Sequence, residues 1–372
     1  MLLYHKKKIS VYLKGGKKAA TSYYRFYQFF QQVDADFRYN LMIPDKKWSR
    51  FFPISQQPKW KQSFIFLYVY FRVLRNLLAD LIRRPEVIVV SRCIINLFFP
   101  LSFRFCLRVL KLRGSRIVWD FDDNIIGTEM TRQNFDRFSC LADYIIVGSP
   151  FLRELIKQEF RDKVIVMPTT DGDMYHLLTQ EIQSERLNSF ETTARFVWVG
   201  TFSTLHYVDE ILPAFEIAGK KLRAQGRELQ LVVLCDKELS YCPDSFNLIS
   251  LAWEKQAAID NMLCAHVGIM PLNDNDSTRG KCGFKLIQYL SVGLPILGST
   301  VGINKDIIHE KWGIGLDELK IDSWASAIER IVKDVSKWSV ASKNAYEAWN
   351  SYYSYEANLR QWEEVLNKCF LN

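Results

Sequence analysis

The sequence predicts an α/β protein made of two tandem Rossmann-like, doubly wound domains with an interdomain cleft. Apolar runs of strand length recur along the chain: ISVYL, VIVV, RIVW, YIIV and VIVM in the first half, FVWV, LVVL, VGIM and ILG in the second. Helical patterns separate them, and buried strands alternating with helices call for a mostly parallel sheet covered on both faces. A polar stretch, His176–Ala194, lacks any strand pattern and divides the two sets, in a chain whose 372 residues match about two domains.

In order, Ile9–Leu13 reads as the first strand, Lys14-Gly15-Gly16 as a turn and Ser22–Gln32 as a helix. Val87–Val90 is a buried strand, Phe99–Leu112 a helix with basic residues on one side, and Arg116–Trp119 a strand ending at Asp120. Tyr144–Val147 and Val164–Met167 complete the first set. The second runs through Phe196–Val199, a helix over Val208–Gln225, Leu231–Leu234, a helix near Lys255–Cys264, Val267–Met270, a helix over Phe284–Val292, and Ile296–Gly298. The expected organisation is a basic domain over residues 1–175, a linker over 176–194, a second domain over 195–340, and a helical segment, 341–372, packing back toward the first domain.

Charge is unevenly shared. Residues 1–119 hold 23 Lys and Arg against 5 Asp and Glu, leaving 26 against 36 for the rest, although the whole chain is only +8. The basic third is also aromatic, as in FFPISQQPKWKQSFIFLYVYFRVLRNLL, and Lys6–Lys8, Lys46 and Lys47 add to it. Cations interleaved with Phe, Trp and Tyr suit an anionic membrane surface, a nucleic acid, or a solvated face over an ordinary core. No uncharged apolar run reaches the roughly 18 residues of a membrane span, and MLLYHKKKIS has no apolar h-region of a signal peptide. The eight cysteines form no CxxC pair, so neither a zinc site nor a disulfide framework is indicated, and a reducing cytoplasm fits. The five histidines show no metal spacing and no nucleophile elbow is present, which leaves hydrolase chemistry without support.

The most informative stretch is Arg279–Ser299, RGKCGFKLIQYLSVGLPILGS. Gly280, Lys281, Cys282 and Gly283 form a loop that opens a short helix. Glycine lets backbone approach a ligand, and a helix start offers unpaired N–H groups and a positive dipole end. Lys281 and Lys285, four apart, lean over that end. The pattern suits a diphosphate. A second small-residue turn, Gly200-Thr201-Phe202-Ser203-Thr204, follows strand FVWV and opens another helix, again presenting N–H and hydroxyl groups. WDFDDN, Trp119–Asn124, sets three acids in four positions at a strand end, for a divalent metal, a sugar hydroxyl, base chemistry, or a helix cap. Ser22-Tyr23-Tyr24-Arg25 follows the first glycine turn, and Arg25 suits bidentate capture of a phosphate or a place on the helix surface.

Together these residues resemble the retaining glycosyltransferases of family 4 (group 1), which have the GT-B fold, in their bacterial polysaccharide-assembly type. The resemblance runs through SYYRFYQ, IVWDFDDN, ADYIIVGSPFL, VIVMPTTDGDMY, FVWVGTFSTLHYVDEI and GIMPLNDNDSTRGKCGFKLIQYLSVGLPILGSTVGIN. It implies transfer of a sugar from a nucleotide-diphosphate donor, with UDP the family-level expectation, to a lipid-linked or oligosaccharide acceptor in cell-surface polysaccharide biosynthesis, including capsule. It further implies that Gly200, Thr201 and Ser203, in the turn with Phe202 and Thr204, lie under the donor diphosphate. Lys281 and Lys285 neutralise it as it departs, with Gly280 and Gly283 shaping the loop. Trp253 and Glu254 sit near the nucleoside, and Asp122 and Asp123 face the reacting sugar and acceptor hydroxyl. Ser22, Tyr23 and Arg25 are the acceptor-side contacts, because the resemblance makes residues 1–175 the acceptor-binding, membrane-facing domain and residues 195–340 the nucleotide-sugar-binding one. Many relatives carry two glutamates eight positions apart where this chain has Gly280 and Gln288. Gln288 still offers an amide to the ribose, whereas Gly280 has no side chain, and Lys281 or Asp276 is the substitute.

The expected partners are the nucleotide-sugar donor, the acceptor and an anionic membrane surface, without nucleic acid. The expected location is cytoplasmic, on the inner face of the cytoplasmic membrane. No cofactor is expected to be required and no metal ligands are assigned, because the lysines supply the charge; the acids at 120–123 keep a metal-dependent variant open. The alternatives are a nucleotide-sugar epimerase of the same fold and a non-enzymatic basic protein that binds membrane or nucleic acid.

Overall fold

The computed structural model describes residues 6–51, 54 and 57–371. The chain forms two compact units, one of residues up to Thr169 together with the segment from Asn358 onward, the other Thr170–Ala357.

The first unit holds a six-stranded, wholly parallel sheet: β1 (Lys8–Leu13), β2 (Asp36–Leu41), β3 (Val87–Ser91), β4 (Arg116–Phe121), β5 (Tyr144–Val147) and β6 (Val164–Val166). Their spatial order is β2-β1-β3-β4-β5-β6. Interior strands are continuous apolar runs because helices cover both faces; every residue of β3 is buried. Two helices in this layer, Lys59–Arg83 and Leu101–Leu112, turn Ile65, Val73, Leu77, Phe103, Leu107 and Leu110 onto the sheet. Asp80 fastens the longer helix. Its fully buried carboxylate accepts from Ser10 Oγ at 2.8 Å and Tyr12 Oη at 2.7 Å on β1, and Arg38 stands 3.5 Å away.

The second unit repeats the design with β7 (Thr193–Val199), β8 (Glu228–Cys235), β9 (Asn247–Ala252), β10 (Val267–Met270), β11 (Ile296–Ser299) and β12 (Gly313–Leu316), in the order β12-β11-β10-β7-β8-β9. All pairs are parallel.

The stretch expected to be a linker is part of this unit. Thr179 caps a helix over Gln180–Phe190, and Arg186 on that helix is buried. Its Nε donates to Leu263 O at 2.6 Å, Nη1 to Val292 O at 2.7 Å and Nη2 to Met262 O at 2.9 Å. Those carbonyls end the helices Lys255–Cys264 and Phe284–Ser291, so one cation closes two helix C-termini, where both orphan acceptors and the dipole favour it. Burial alone lowers its pKa to about 10. Polar composition hid this helix, because its work is done by a charged side chain rather than an apolar stripe.

The C-terminal helical segment divides. Residues up to Ala357 belong to the second unit and those after it to the first. In the first unit the fully buried Trp362 lies edge-on to Phe30, centroids 4.9 Å apart, and 5.6 Å from Phe26. Trp362→Ala is expected to destabilise that unit by about 3–5 kcal/mol, the usual loss for deleting a buried aromatic. Urea unfolding followed by circular dichroism reads this as a lower midpoint.

Candidate functional site

In a parallel doubly wound sheet, neighbouring connections diverge at one point, and the loops beyond the strand ends leave a crevice there. In the second unit that point lies between β7 and β10. The two glycine-bearing loops singled out from the sequence follow these two strands. Gly200 to Thr204 leaves β7 and starts the helix Phe202–Ala224; the segment after β10 leads through Gly280 and Lys281 into the helix Phe284–Ser291.

Side chains tie the segment after β10 to the helix that follows the Gly200 turn. Asn275 Nδ2 donates to Tyr207 Oη at 3.3 Å, and Asn273 Nδ2 to the Glu210 carboxylate at 3.0 Å. Lys285 Nζ lies 5.6 Å from the Trp198 ring centroid. The same ring explains Gly200: a Cβ there would fall 2.3 Å from it. Gly283 caps the helix with φ +67°, and its Cβ would lie 2.4 Å from Ile307 Cδ1. A side chain at either place would displace the loop. Lys281 and Lys285 are both half-buried.

The remaining donor-side expectations lie along the same carboxyl edge. Trp253 and Glu254 follow β9, two strands from β7, with Trp253 half exposed. From β10 to β9 is three strand spacings, roughly 14 Å. Thr201 Oγ1 and Ser203 Oγ lie 2.9 Å apart, and Thr204 is buried. Phe202 N–H already has an acceptor, Asp236 Oδ1 at 2.8 Å, at the end of β8. A carboxylate thus sits where the turn was expected to offer its N–H to a phosphate, and the β8 loop gave no sign of this in sequence. Gln288 is engaged too, donating from Nε2 to Asp171 Oδ2 at 2.9 Å. Asp274, in the loop, and Asp276, the first residue of the short helix Asp276–Arg279, hold Arg279 at 2.6 Å and 3.6 Å.

In the first unit the switch point lies between β1 and β3; of the WDFDDN acids, Asp120 lies within the next strand, β4, and Asp122 and Asp123 stand just beyond its end. The expectation that Arg25 grips an acceptor phosphate is corrected. Arg25 is only 1% exposed, pairs with Asp120 through Nη2, and donates from Nη1 to Met167 O at 2.6 Å. Removing one partner of such a buried pair costs about 3–5 kcal/mol, so Arg25 is held inside the fold. Ser22 is likewise buried and donates to Gly15 O at 2.8 Å. Tyr23 is half-buried beside Tyr24, ring centroids 5.2 Å apart.

Arg92, at the end of β3, was missed by sequence reasoning. Its Nη1 lies 3.1 Å from Asp122 Oδ1 and 3.0 Å from Asp123 Oδ2, and its Nη2 3.2 Å from Glu129 Oε1. Lys14, at the end of β1, stands 3.5 Å from Glu129. Clustered acids require nearby cations, and that requirement was the available signal. Burial opposes charge on Arg92, but Asp122, Glu129 and Asp123 outweigh it and raise its pKa. Asp122 is pushed up to about 6, first by burial and then by Asp123, against the pull of Arg92. Asp120 is raised by burial and opposed by Arg25. Among the described residues, no group of three or more His, Cys, Asp or Glu side chains is placed to hold a metal ion.

The pH consequence of Asp122 has a definite sign. The unfolded carboxyl has a pKa of 3.8 and the folded one about 6, so between these values the folded protein holds the extra proton. Its contribution therefore favours folding most at low pH and is lost as pH rises through about 6. Asp122→Asn is expected to flatten this part of the stability profile, read as the wild-type-minus-variant difference in urea unfolding across that window.

No protein-family model matches the chain, and no curated protein matches it. Solved structures do. Sucrose-phosphate synthase from Thermosynechococcus elongatus superposes with a TM-score of 0.63 at 14% identity, covering 98% of this chain and 100% of that one. A glycosyltransferase from Rickettsia africae gives 0.64 at 10% identity, covering 99% and 100%. HepE from Anabaena, in complex with UDP and glucose, gives 0.60 at 11% identity, covering 98% and 100%. At these identities the likeness establishes the fold: two Rossmann-like domains in the GT-B arrangement of strands and helices.

Proposed function

We propose that this protein is a glycosyltransferase that moves a sugar from a nucleotide-diphosphate donor, a UDP-sugar, onto a lipid-linked glycan precursor in cell-surface polysaccharide biosynthesis. The observation that carries the reading is the switch point of the second sheet, where Gly200 of the turn after β7 and Lys285 at the start of the Phe284–Ser291 helix both meet the Trp198 ring. Structures of the same fold support it, among them HepE solved with UDP-glucose.

In this reading the diphosphate lies at the start of the Phe284–Ser291 helix, with Lys281 and Lys285 against its oxygens. As the bond between the anomeric carbon and the diphosphate oxygen breaks, negative charge grows on the leaving group. Fixed cations and N–H groups stabilise that charge more than they stabilise the ground state. The acceptor hydroxyl then bonds to the anomeric carbon and passes its proton to the departing diphosphate oxygen. Gly200, Thr201, Phe202, Ser203 and Thr204 form the other wall, with Trp253 and Glu254 on the nucleoside side. Gln288 is assigned to the ribose, oriented by Asp171. Asp122, Asp123 and Tyr23 are assigned to the acceptor side, the two carboxylates held by Arg92. Hexosyl transfer with retention, the absence of a metal step, and attachment to the inner face of the cytoplasmic membrane belong to the same proposal.

A thermal-shift screen against UDP, GDP, ADP and CMP tests the donor assignment, with UDP expected to raise the melting temperature by mass action. Lys285→Ala is expected to lower kcat by roughly 10²–10³, as for loss of one preorganised charge-stabilising group, with the unliganded melting temperature unchanged. Equal losses of folding and activity would remove Lys285 from the mechanism. Conversion of the nucleotide-sugar alone, without release of nucleotide, would overturn transfer in favour of epimerisation.

A further inference from the structure

The helices Lys59–Arg83 and Leu101–Leu112 are apolar on both sides. One side packs on the first sheet. On the other, Trp60, Phe64, Leu67, Phe71, Leu78 and Ile82 are 73%, 56%, 51%, 62%, 50% and 85% exposed. Their spacing alternates four and three residues, broken only where Arg75 takes a place in the row, so they form a single stripe along the helix. The shorter helix repeats this with Leu101, Phe105 and Leu112, at 76%, 68% and 87%. The two helices lie side by side and run the same way. Tyr70 stacks on Phe103 with centroids 5.3 Å apart, and further along Arg113 Nη1 donates to Leu81 O at 3.0 Å. Both stripes therefore point away from the sheet on one layer. A surface of this extent is more than the scattered apolar exposure of an ordinary soluble face.

Charge identifies the occupant. The two helices carry eight Lys and Arg and one acidic residue, Asp80, which is fully buried on β1. Beside the shorter helix, Arg104, Arg108, Lys111 and Arg137 line a groove of about 230 Å³. Asp143 pairs with Lys111 at 3.0 Å, while among the described residues Arg104 and Arg108 form no ion pair. A second copy docked on the same face would set like charges against each other. A nucleic-acid partner would leave Leu67, Leu78, Ile82, Leu101 and Leu112 facing water. Anionic phospholipid meets both requirements, with acyl chains for the stripes and headgroup phosphates for the groove. We propose that this paired-helix face, with its arginine groove, is the surface by which the protein lies on an anionic phospholipid membrane.

The inference rests on the membrane part of the function proposed above and relocates it. Lys6–Lys8 lead into the start of β1, whereas Lys46 and Lys47 follow β2, which is parallel to it, so a strand length of roughly 20 Å separates them. They cannot form one patch. Lys6 pairs with Asp34 at 2.5 Å, and Lys47 lies over the Tyr68 ring at 4.2 Å. No helix among the described residues is long and apolar enough to cross a membrane; the two stripes lie along the helix surfaces.

The test is co-sedimentation of the purified protein with phosphatidylcholine vesicles, with and without phosphatidylglycerol. Binding is expected only to the anionic vesicles and to weaken as salt rises. Phe71→Ser with Phe105→Ser is expected to weaken it about tenfold or more, as loss of inserted aromatic area should. Arg104→Gln with Arg108→Gln is expected to lessen the preference for anionic lipid. Circular dichroism and the UDP thermal shift should be unchanged in both, and the arginine pair answers the question should the phenylalanine pair misfold. Wild-type-like vesicle binding in both variants would overturn the proposal. So would a concentration-dependent dimer abolished by the same substitutions, or single-stranded DNA bound more tightly than vesicles. Intact vesicle binding without any nucleotide shift would sink the transferase reading and leave this face standing; a UDP shift without vesicle binding would overturn the face alone.

Discussion

Every strand in both sheets is parallel to its neighbours, and that one constraint organises the molecule. A parallel strand must be followed by a crossover before its partner begins, so all carboxyl ends gather at one edge of each sheet. Polar loops gather with them. Gly200 and Lys285 are 85 positions apart, yet both meet the Trp198 ring because β7 and β10 are adjacent across the switch point. The same logic brings Lys14, Arg92 and Asp122 to one edge of the first sheet from the ends of β1, β3 and β4. The crossovers also fix what lies on the faces. Two successive right-handed connections set Lys59–Arg83 beside Leu101–Leu112 on one layer.

Charges buried by this packing are each matched, and the matching settles which groups are available for chemistry. Desolvating an ion costs several kcal/mol unless a partner and further hydrogen bonds compensate. Arg25 has Asp120, Asp80 has two hydroxyls, and Arg186 has three carbonyls. These serve architecture. The cluster around Arg92 differs, because a single guanidinium serves three carboxylates and Asp123 remains partly exposed. Asp122 is left with a pKa near 6. That is a carboxylate under tension between burial, like charge and two cations, Arg92 before Arg25, in keeping with a place on the acceptor side of the proposed reaction.

The acidic and basic halves divide the proposed labour. The second unit sets Lys285 against the Trp198 ring at one sheet edge, beside the start of a helix. The first unit directs apolar stripes and cations outward. A donor that is soluble and anionic, and an acceptor anchored in lipid, ask for these two different surfaces.

Much of the fold was legible in the sequence because interior strands, covered on both faces, are written as unbroken apolar runs. The three strands that were not read, β2, β9 and β12, all lie at sheet edges, and their half-covered faces mix polar with apolar residues. The Gln180–Phe190 helix was hidden for a related reason: its main anchor is an arginine. At the site, the loops themselves were legible from glycine, lysine and acid spacing. What sequence could not give was pairing. Arg25 looks like a ligand-gripping arginine until Asp120 takes it, and Phe202 N–H looks open until Asp236 does. Periodicity and turn chemistry are local, so the sequence by itself determined the fold class and the loops that carry chemistry. Which charge meets which, and which apolar stripe is left facing outward, are decided by contacts between residues far apart in the chain, and only the tertiary structure supplies those.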